Sequence, residues 1–239
     1  MKDNFSTSRR KLLQYGAIAF GSTVVAKSFI DNSVLAESAD DAPKATNEDI
    51  TPDEALNMLM EGNKRFVTNK RKYPDQNFER IAEVAKEQFP FASILGCSDS
   101  RVPLEILFDQ GFGDIFVVRN AGNIVTPEET GSLEFGSAVA GAKAILVIGH
   151  EKCGAVTAAV AGKPVPGSIG SILAAIQPAM KEGDKNDKNY LTETIKNNVF
   201  LQINNLKSSP VLAQLIKENK LKIFGGYYDL DTAQVQIIT

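Results

Sequence analysis

Short apolar runs that alternate with helix-like segments constrain the fold of this chain more than any other feature of its sequence. Three of these runs, at 91–96, 115–118 and 144–149, have the composition of buried strands. Between and after them, apolar residues recur at helix-like spacing. Strands that alternate with helices imply a mainly parallel sheet covered by helices on both faces. We therefore expect an α/β fold.

The rest of the chain extends this pattern. Thr51-Pro52-Asp53-Glu54 is a capping box with proline at the first helical position, so a helix is expected to begin there. Residues 222–228 and 233–238 are predicted to form a C-terminal hairpin. Helices are predicted at 52–69, 78–87, 129–142, 154–162, 168–182, 188–207 and 210–219, with one or two helical turns at 103–108.

The N-terminal part of the sequence is typical of an export signal. Arg9 and Arg10 form a twin-arginine pair, and the weakly apolar stretch 12–26 is too short for a stable membrane span. Val34-Leu35-Ala36 provides a plausible cleavage site. We predict a twin-arginine signal peptide at 1–36, a polar linker at 37–50 and a single domain at 51–239. Export would lead to the periplasm or a thylakoid lumen, whereas the alternative is a basic tail on a cytoplasmic protein.

The composition of the chain excludes several classes of protein and of binding partner. Hydrophobic residues make up 43% and charged residues 23% of the 239 residues, which is ordinary globular usage and excludes a disordered chain or a polytopic membrane protein. The net charge of −3 and the lack of a dense Lys/Arg cluster argue against nucleic-acid binding. We expect a small-molecule substrate and no membrane span after signal removal.

The cysteines and the histidine of the chain all follow predicted strands. The sequence has two cysteines and one histidine: Cys97 follows the first strand, and His150 and Cys153 follow the third. Ligands of such sheets bind beyond the carboxyl ends of the strands, so these side chains are expected to meet there. Two thiolates and one imidazole form a known catalytic zinc set with an open fourth position. Asp99, two residues from Cys97, could occupy that position in a closed form.

Three other interpretations fit the same residues. Cys97 and Cys153 could form a disulfide in an oxidising compartment, although this leaves His150 without a role. They could also be inert buried thiols. Finally, Asp99 could close a purely structural zinc site.

Two motifs give the sequence a specific resemblance. Cys97-Ser98-Asp99-Ser100-Arg101 and His150-Glu151-Lys152-Cys153-Gly154 resemble the metal motifs of β-class carbonic anhydrases. The similarity extends from about Leu56 to the C-terminal hairpin. It implies an α/β domain with a mainly parallel sheet that forms a homodimer or a larger homo-oligomer, with active sites at the dimer interface. It also implies reversible hydration of carbon dioxide to bicarbonate and a proton through zinc-bound hydroxide.

The resemblance assigns roles to individual residues. It implies one Zn²⁺ per subunit on Cys97, His150 and Cys153, with Asp99 and Arg101 as the catalytic dyad. It further implies that Gln88 hydrogen-bonds the substrate, that Gly154 offers its backbone N–H near the metal, and that Phe116 lines the carbon dioxide pocket from the partner subunit. On the residues alone, Gln88 is a polar helix-end residue, Phe116 a core strand residue and Gly154 a turn glycine.

Two alternative functions remain at this point. The same scaffold could hydrolyse carbon disulfide or carbonyl sulfide, because these substrates are also linear and apolar. A non-catalytic zinc-binding protein is the other alternative, but it would be expected to lose Asp99 or Arg101, and both are present. The chain has no tryptophan, so the Trp–Arg–Tyr bicarbonate cluster of some relatives cannot be complete.

Overall fold

The computed structural model describes residues 47–239 of the chain. The predicted signal peptide at 1–36 and most of the predicted linker lie outside the described residues. The described end of the predicted linker contains a 3₁₀ turn at Asn47–Asp49, where the Asn47 side chain donates to the carbonyls of Phe89 and Pro90. Within 47–239, none of the helices has both the length and the apolar character that a membrane span requires.

The sheet has five strands in the order β2-β1-β3-β4-β5. The first four strands run parallel, and β5 pairs antiparallel with β4 as the predicted hairpin. The α/β prediction with a mainly parallel sheet is therefore confirmed. The strands are β1 (Ala92–Cys97), β2 (Ile115–Asn120), β3 (Ala144–His150), β4 (Lys222–Tyr228) and β5 (Val235–Ile237).

Eight α-helices connect and cover these strands in the described part of the chain. The first begins at Pro52 and has the predicted capping box, in which Thr51 and Glu54 bond each other's backbone N–H groups. The helices are α1 (Pro52–Val67), α2 (Phe78–Val84), α3 (Leu104–Leu107), α4 (Pro127–Glu134), α5 (Gly154–Ala161), α6 (Ile169–Ile176), α7 (Tyr190–Lys207) and α8 (Pro210–Lys217).

Two predicted helices continue as turns of another helix type. The helix expected at 129–142 begins earlier, at Pro127, and changes to a π-helical turn at Phe135–Val139. There Gly136 approaches β1 so closely that an added Cβ would lie 2.7 Å from Ser93 Oγ. The helix expected at 168–182 ends at Ile176 and continues as a 3₁₀ turn containing Pro178, because proline cannot donate the next helical hydrogen bond.

Both faces of the central strands are buried, as expected for a parallel sheet between helices. Alternate residues of β1 and β3 point to opposite faces. One face packs against α1 and α3, and its core includes Ile94, Leu146, Ile148, Leu59 and Leu104. The other packs against α7 and α8, and its core includes Leu95, Ile145, Val147, Val199, Ile203 and Leu212. This packing fixes the carboxyl edge of the sheet, where the candidate ligands lie.

Candidate metal centre

The predicted ligands come from two adjacent strands and one turn. Cys97 is the last residue of β1 and His150 the last residue of β3, so both side chains start at the carboxyl edge of the sheet. The chain then reverses through Lys152, which has a left-handed backbone (φ 53°). Cys153 follows directly before α5. The reversal brings Cys153 back toward His150, in agreement with the prediction that these side chains meet at the carboxyl ends of the strands.

The three ligand atoms form one compact, buried group. The sulfur atoms of Cys97 and Cys153 and a ring nitrogen of His150 all lie within 4.8 Å of one another. His150 Nδ1 donates to the carbonyl of Glu151 at 2.9 Å, which leaves Nε2 as the free lone-pair nitrogen. Nε2 is buried and has no hydrogen-bond partner. A buried, unpartnered ring nitrogen beside two thiols fits a soft metal ion with nitrogen and sulfur ligands.

Cys97 and Cys153 shift each other's pKa in opposite directions. Both cysteines are free, so the predicted disulfide alternative is not formed. A hydrogen bond from Cys153 lowers the pKa of the Cys97 thiol, and the N–H of Gly122 lowers it further. The same contact and burial raise the pKa of Cys153. Cys97 is therefore the more readily ionised of the two thiols.

Asp99 and Arg101 form a bidentate pair beside these ligands. Arg101 Nε donates to Asp99 Oδ1 at 2.9 Å and Arg101 Nη2 donates to Oδ2 at 2.8 Å, while the Arg101 backbone N–H also bonds Oδ1. Hydrogen bonding by Arg101 holds the pKa of Asp99 well below its usual range, so the carboxylate is ionised. Asp99 Oδ2 lies 4.0 Å from His150 Nε2. The predicted dyad thus lies next to the predicted ligands.

Arg119 has a structural role at this site that its sequence position did not reveal. Its guanidinium donates to the carbonyl of Cys97 at 3.1 and 2.9 Å and to the carbonyl of Asp99 at 3.0 Å. It therefore clamps the backbone of the Cys97–Arg101 segment from strand β2. Because its targets are main-chain atoms, no side-chain pattern in the sequence could have identified them.

Gly154 lies beside the ligands, at the first position of α5. A Cβ added there would meet no atom within 4 Å, so space is open in front of this residue. The role that the resemblance gives to its backbone N–H stays a prediction.

Gln88 and Phe116 lie away from the ligands of their own chain. In the β1–β2 register Phe116 pairs with Ser93, whereas Cys97 pairs with Asn120, four positions further along. At a rise of about 3.3 Å per residue, this places Phe116 roughly 13 Å from the carboxyl edge. Its ring lies 6.2 Å from that of Phe135. Gln88 and Phe135 both line an open groove of about 600 Å³.

Known proteins resemble this chain in both sequence and structure. The family model described as "Carbonic anhydrase" matches residues 92–235. A protein named carbonic anhydrase 2 from Mycobacterium tuberculosis is 36% identical over 185 residues, covering 75% of this chain and 89% of the relative. The carbonic anhydrase of Mycolicibacterium smegmatis is 35% identical over 191 residues, covering 78% and 93%.

Solved structures that resemble this chain are also carbonic anhydrases, of the β class. One of two tetrameric β-carbonic anhydrases from Sordaria macrospora has a TM-score of 0.63 and 25% identity, covering 77% of this chain and 96% of that one. A Coccomyxa β-carbonic anhydrase in complex with acetazolamide has a TM-score of 0.61 and 26% identity, covering 77% and 86%. Together with the two metal motifs and the parallel sheet, these matches establish that the chain belongs to the carbonic anhydrase family, in its β class.

Proposed function

We propose that this chain is a zinc-dependent carbonic anhydrase that interconverts carbon dioxide and bicarbonate. The observation that carries the proposal is the buried group of Cys97, His150 and Cys153, with the free His150 Nε2 and the ionised Asp99 beside it. Soft sulfur and nitrogen ligands favour zinc over magnesium or calcium. Three protein ligands leave the fourth tetrahedral position for water, as in catalytic zinc sites.

Zinc in this position would lower the pKa of a water molecule toward about 7 and so supply hydroxide near neutral pH. The protein's own contribution is orientation and electrostatics. Asp99 is held ionised by Arg101, with both oxygens bonded, and can only accept a hydrogen bond. We propose that it orients the attacking water. Because Arg101 holds both oxygens, we favour this open arrangement over one in which Asp99 is the fourth ligand.

We propose a homodimer in which the partner subunit completes each site. Gln88 and Phe116, two of the three predicted substrate residues, are remote from the ligands of their own chain. They adjoin a groove with exposed apolar side chains, Phe135 at 47% and Val139 at 69% of their full exposure. A second copy seated on this groove would cover these side chains. It would bring its own Gln88 and Phe116 to the site.

We further propose that the enzyme is exported. The support is the Arg9–Arg10 pair with the weakly apolar stretch that follows it. N-terminal sequencing of protein recovered from the periplasm would support this proposal by finding a start near residue 37. Recovery of the intact chain from the cytoplasm alone would contradict it.

Stopped-flow hydration of carbon dioxide by the full chain tests the catalytic proposal, with zinc content measured on the same samples. We expect activity near neutral pH with one zinc per chain, and we expect Cys153→Ser to lose both. Ser100→Ala, which changes an exposed neighbour of the dyad, is the matched control and is expected to keep both. A zinc-loaded chain without hydration activity would contradict the proposal, and carbonyl sulfide and carbon disulfide would then be the substrates to test.

A further inference from the structure

A line of buried amides connects helix α7 to the turn beside Cys97. Asn198 and Gln202 are both fully buried and stand four residues apart, so they share one face of the helix. Gln202 Nε2 donates to Asn198 Oδ1 at 2.9 Å, and Asn198 Nδ2 donates to the carbonyl of Gly122 at 2.9 Å. The N–H of Gly122 donates to Cys97 Sγ at 3.3 Å. The line of hydrogen bonds thus ends on a candidate metal ligand.

From these contacts we infer that Asn198 is a positioning residue for the metal centre, acting on Cys97 through Gly122. The inference rests on the proposed function, because it concerns the sulfur that would bind zinc. Asn198 itself bonds no ligand atom of the site. Its role would be to hold the backbone N–H that bonds the Cys97 sulfur and limits how much charge this sulfur donates to the metal.

Gly122 needs such an external anchor. Its backbone is left-handed, with φ at 77°, and glycine has the least conformational preference of all residues. A side chain is also excluded there, since an added Cβ would lie 2.8 Å from Ile176 Cδ1 and 3.0 Å from Ala155 Cβ. The N–H and the carbonyl of Gly122 flank the same Cα. Fixing the carbonyl with Asn198 therefore limits the directions in which the N–H can point.

Burial makes this arrangement costly unless every amide is satisfied. A primary amide that is buried in an apolar interior without a hydrogen-bond partner destabilises the fold. Here the amides are satisfied, since Gln202 Oε1 also accepts from the N–H of Val125 at 3.0 Å and from Asn205 Nδ2 at 3.1 Å. Two apolar side chains could fill the same space without needing any hydrogen-bond partner. Two polar side chains in this position therefore point to a specific task.

Helix α7 also packs against strand β3, which carries His150. Gly149 immediately precedes His150, and a Cβ on Gly149 would lie 2.9 Å from both Ile195 Cγ2 and Val199 Cγ2 of α7. Helix α7 therefore packs directly against the strand end that carries His150. Through Asn198 it also holds the turn that bonds Cys97, so one rigid element sets the position of both ligands.

Cobalt substitution in the full chain tests the role of Asn198. Co²⁺ is the probe because a cysteine ligand gives a sulfur-to-cobalt charge-transfer band. Asn198→Leu keeps the size of the side chain and removes the donor to Gly122. We expect the band to move to longer wavelength, because a thiolate without its N–H donor gives up charge more easily. We also expect zinc release to a chelator to be on the order of tenfold faster, because the Cys97 sulfur is then held less firmly in position.

Thr194→Val is the matched control. Thr194 is buried on α7, four residues before Asn198, but its hydroxyl bonds the carbonyl of Tyr190 within its own helix. The band and the zinc release rate should stay at their wild-type values in this variant. If both variants change alike, or if Asn198→Leu binds cobalt with an unshifted band, the inference is wrong.

A second variant decides the question if Asn198→Leu does not fold. Gln202→Met keeps the length of the side chain and removes the donor to Asn198, so the Asn198 amide loses the hydrogen bond that orients it toward Gly122. A shifted band supports the inference and an unshifted one overturns it. A wild-type chain that binds cobalt without any sulfur charge-transfer band would instead contradict the metal site, and with it the proposed function.

Discussion

At the scale of single residues, the Asp99–Arg101 pair depends on the shape of the guanidinium group. Two nearly parallel N–H groups meet two carboxylate oxygens, which fixes the plane of the carboxylate as well as its charge. Arg101 is half-exposed while Asp99 is mostly covered, so the arginine reaches in from the solvent side. Its value to the site is therefore the orientation that it gives to Asp99.

Arg101→Lys tests this orientation. Lysine keeps the positive charge but is a point donor without the two-pronged geometry, so Asp99 should stay ionised and lose its fixed plane. We expect kcat/KM for carbon dioxide hydration to fall by about 10- to 100-fold, as misplaced catalytic groups commonly do, with zinc content unchanged.

Arg80→Lys is the control for this measurement. Arg80 also contacts carboxylates, those of Glu83 and Asp114, but it lies on α2 and has no contact with the ligands or the dyad. It should keep wild-type hydration activity. An Arg101→Lys enzyme with unchanged kcat/KM would show that charge alone is sufficient at this position.

The candidate ligands could be predicted from the sequence because they are its only two cysteines and its only histidine, and because all three follow predicted strands. The amide of Asn198 and the guanidinium of Arg119 could not be predicted in the same way. Both bond backbone atoms of segments far away in the chain, and backbone atoms leave no signature in a sequence. Polar residues on an amphipathic helix predict a solvent-facing stripe, whereas Asn198 and Gln202 lie in the core.

At the scale of elements, α2 is held to the domain mainly by polar contacts. None of its residues is buried. Arg80 anchors it, with Nε donating to the carbonyl of Phe112 at 3.0 Å and Nη2 lying 3.6 Å from Asp114. Asp114 is buried at the start of β2 and accepts from the N–H of Gly111 at 2.7 Å. Burial, together with the nearby Asp75, raises the pKa of Asp114 to about 6.

This raised pKa predicts a pH-dependent effect of Asp114→Asn on stability. Between pH 4 and about 6 the folded wild type holds a proton that the unfolded chain has released. The free energy of unfolding of the wild type therefore falls as pH rises through this range. The amide cannot ionise and can still accept from Gly111, so the variant avoids this loss. We expect it to be more stable than the wild type by about 1–3 kcal/mol at pH 7.5.

Urea unfolding from pH 4 to 8 measures this difference. The advantage of the variant should be smallest at pH 4, increase up to about pH 6.5 and stay constant above. A difference that is the same at every pH would mean that the Asp114 carboxyl titrates alike in the folded and unfolded chains, and the prediction would be wrong.

At the scale of the whole molecule, the groove beside Gln88 is the surface that the proposed dimer would cover. The sequence predicted a parallel sheet but could not predict the strand order, which depends on how the crossovers pack. It is this order that makes β2 an edge strand and places Phe116 beside Phe135 and the groove. A second copy at this edge would explain why two predicted substrate residues lie far from the ligands.

Val139→Asp tests the proposed dimer. A carboxylate on this exposed apolar side chain would have to be desolvated when a second copy covers it, so association should weaken. Sedimentation should show a shift toward the monomer, and hydration activity should fall while each chain retains its zinc. Val211→Asp, at another exposed valine on α8, is the control and should keep both. An active monomer would contradict the proposal.

The distribution of the three ligands along the chain has a mechanical consequence. Cys97 ends β1, His150 ends β3 and Cys153 follows it, so α3, β2 and α4 all lie in the loop between Cys97 and His150. An ion bound by all three would act as a reversible cross-link that closes this loop and restricts the unfolded chain. Its removal would therefore loosen the centre of the sheet as well as stop the reaction. The free energy of unfolding would then indicate what fraction of the protein holds the ion.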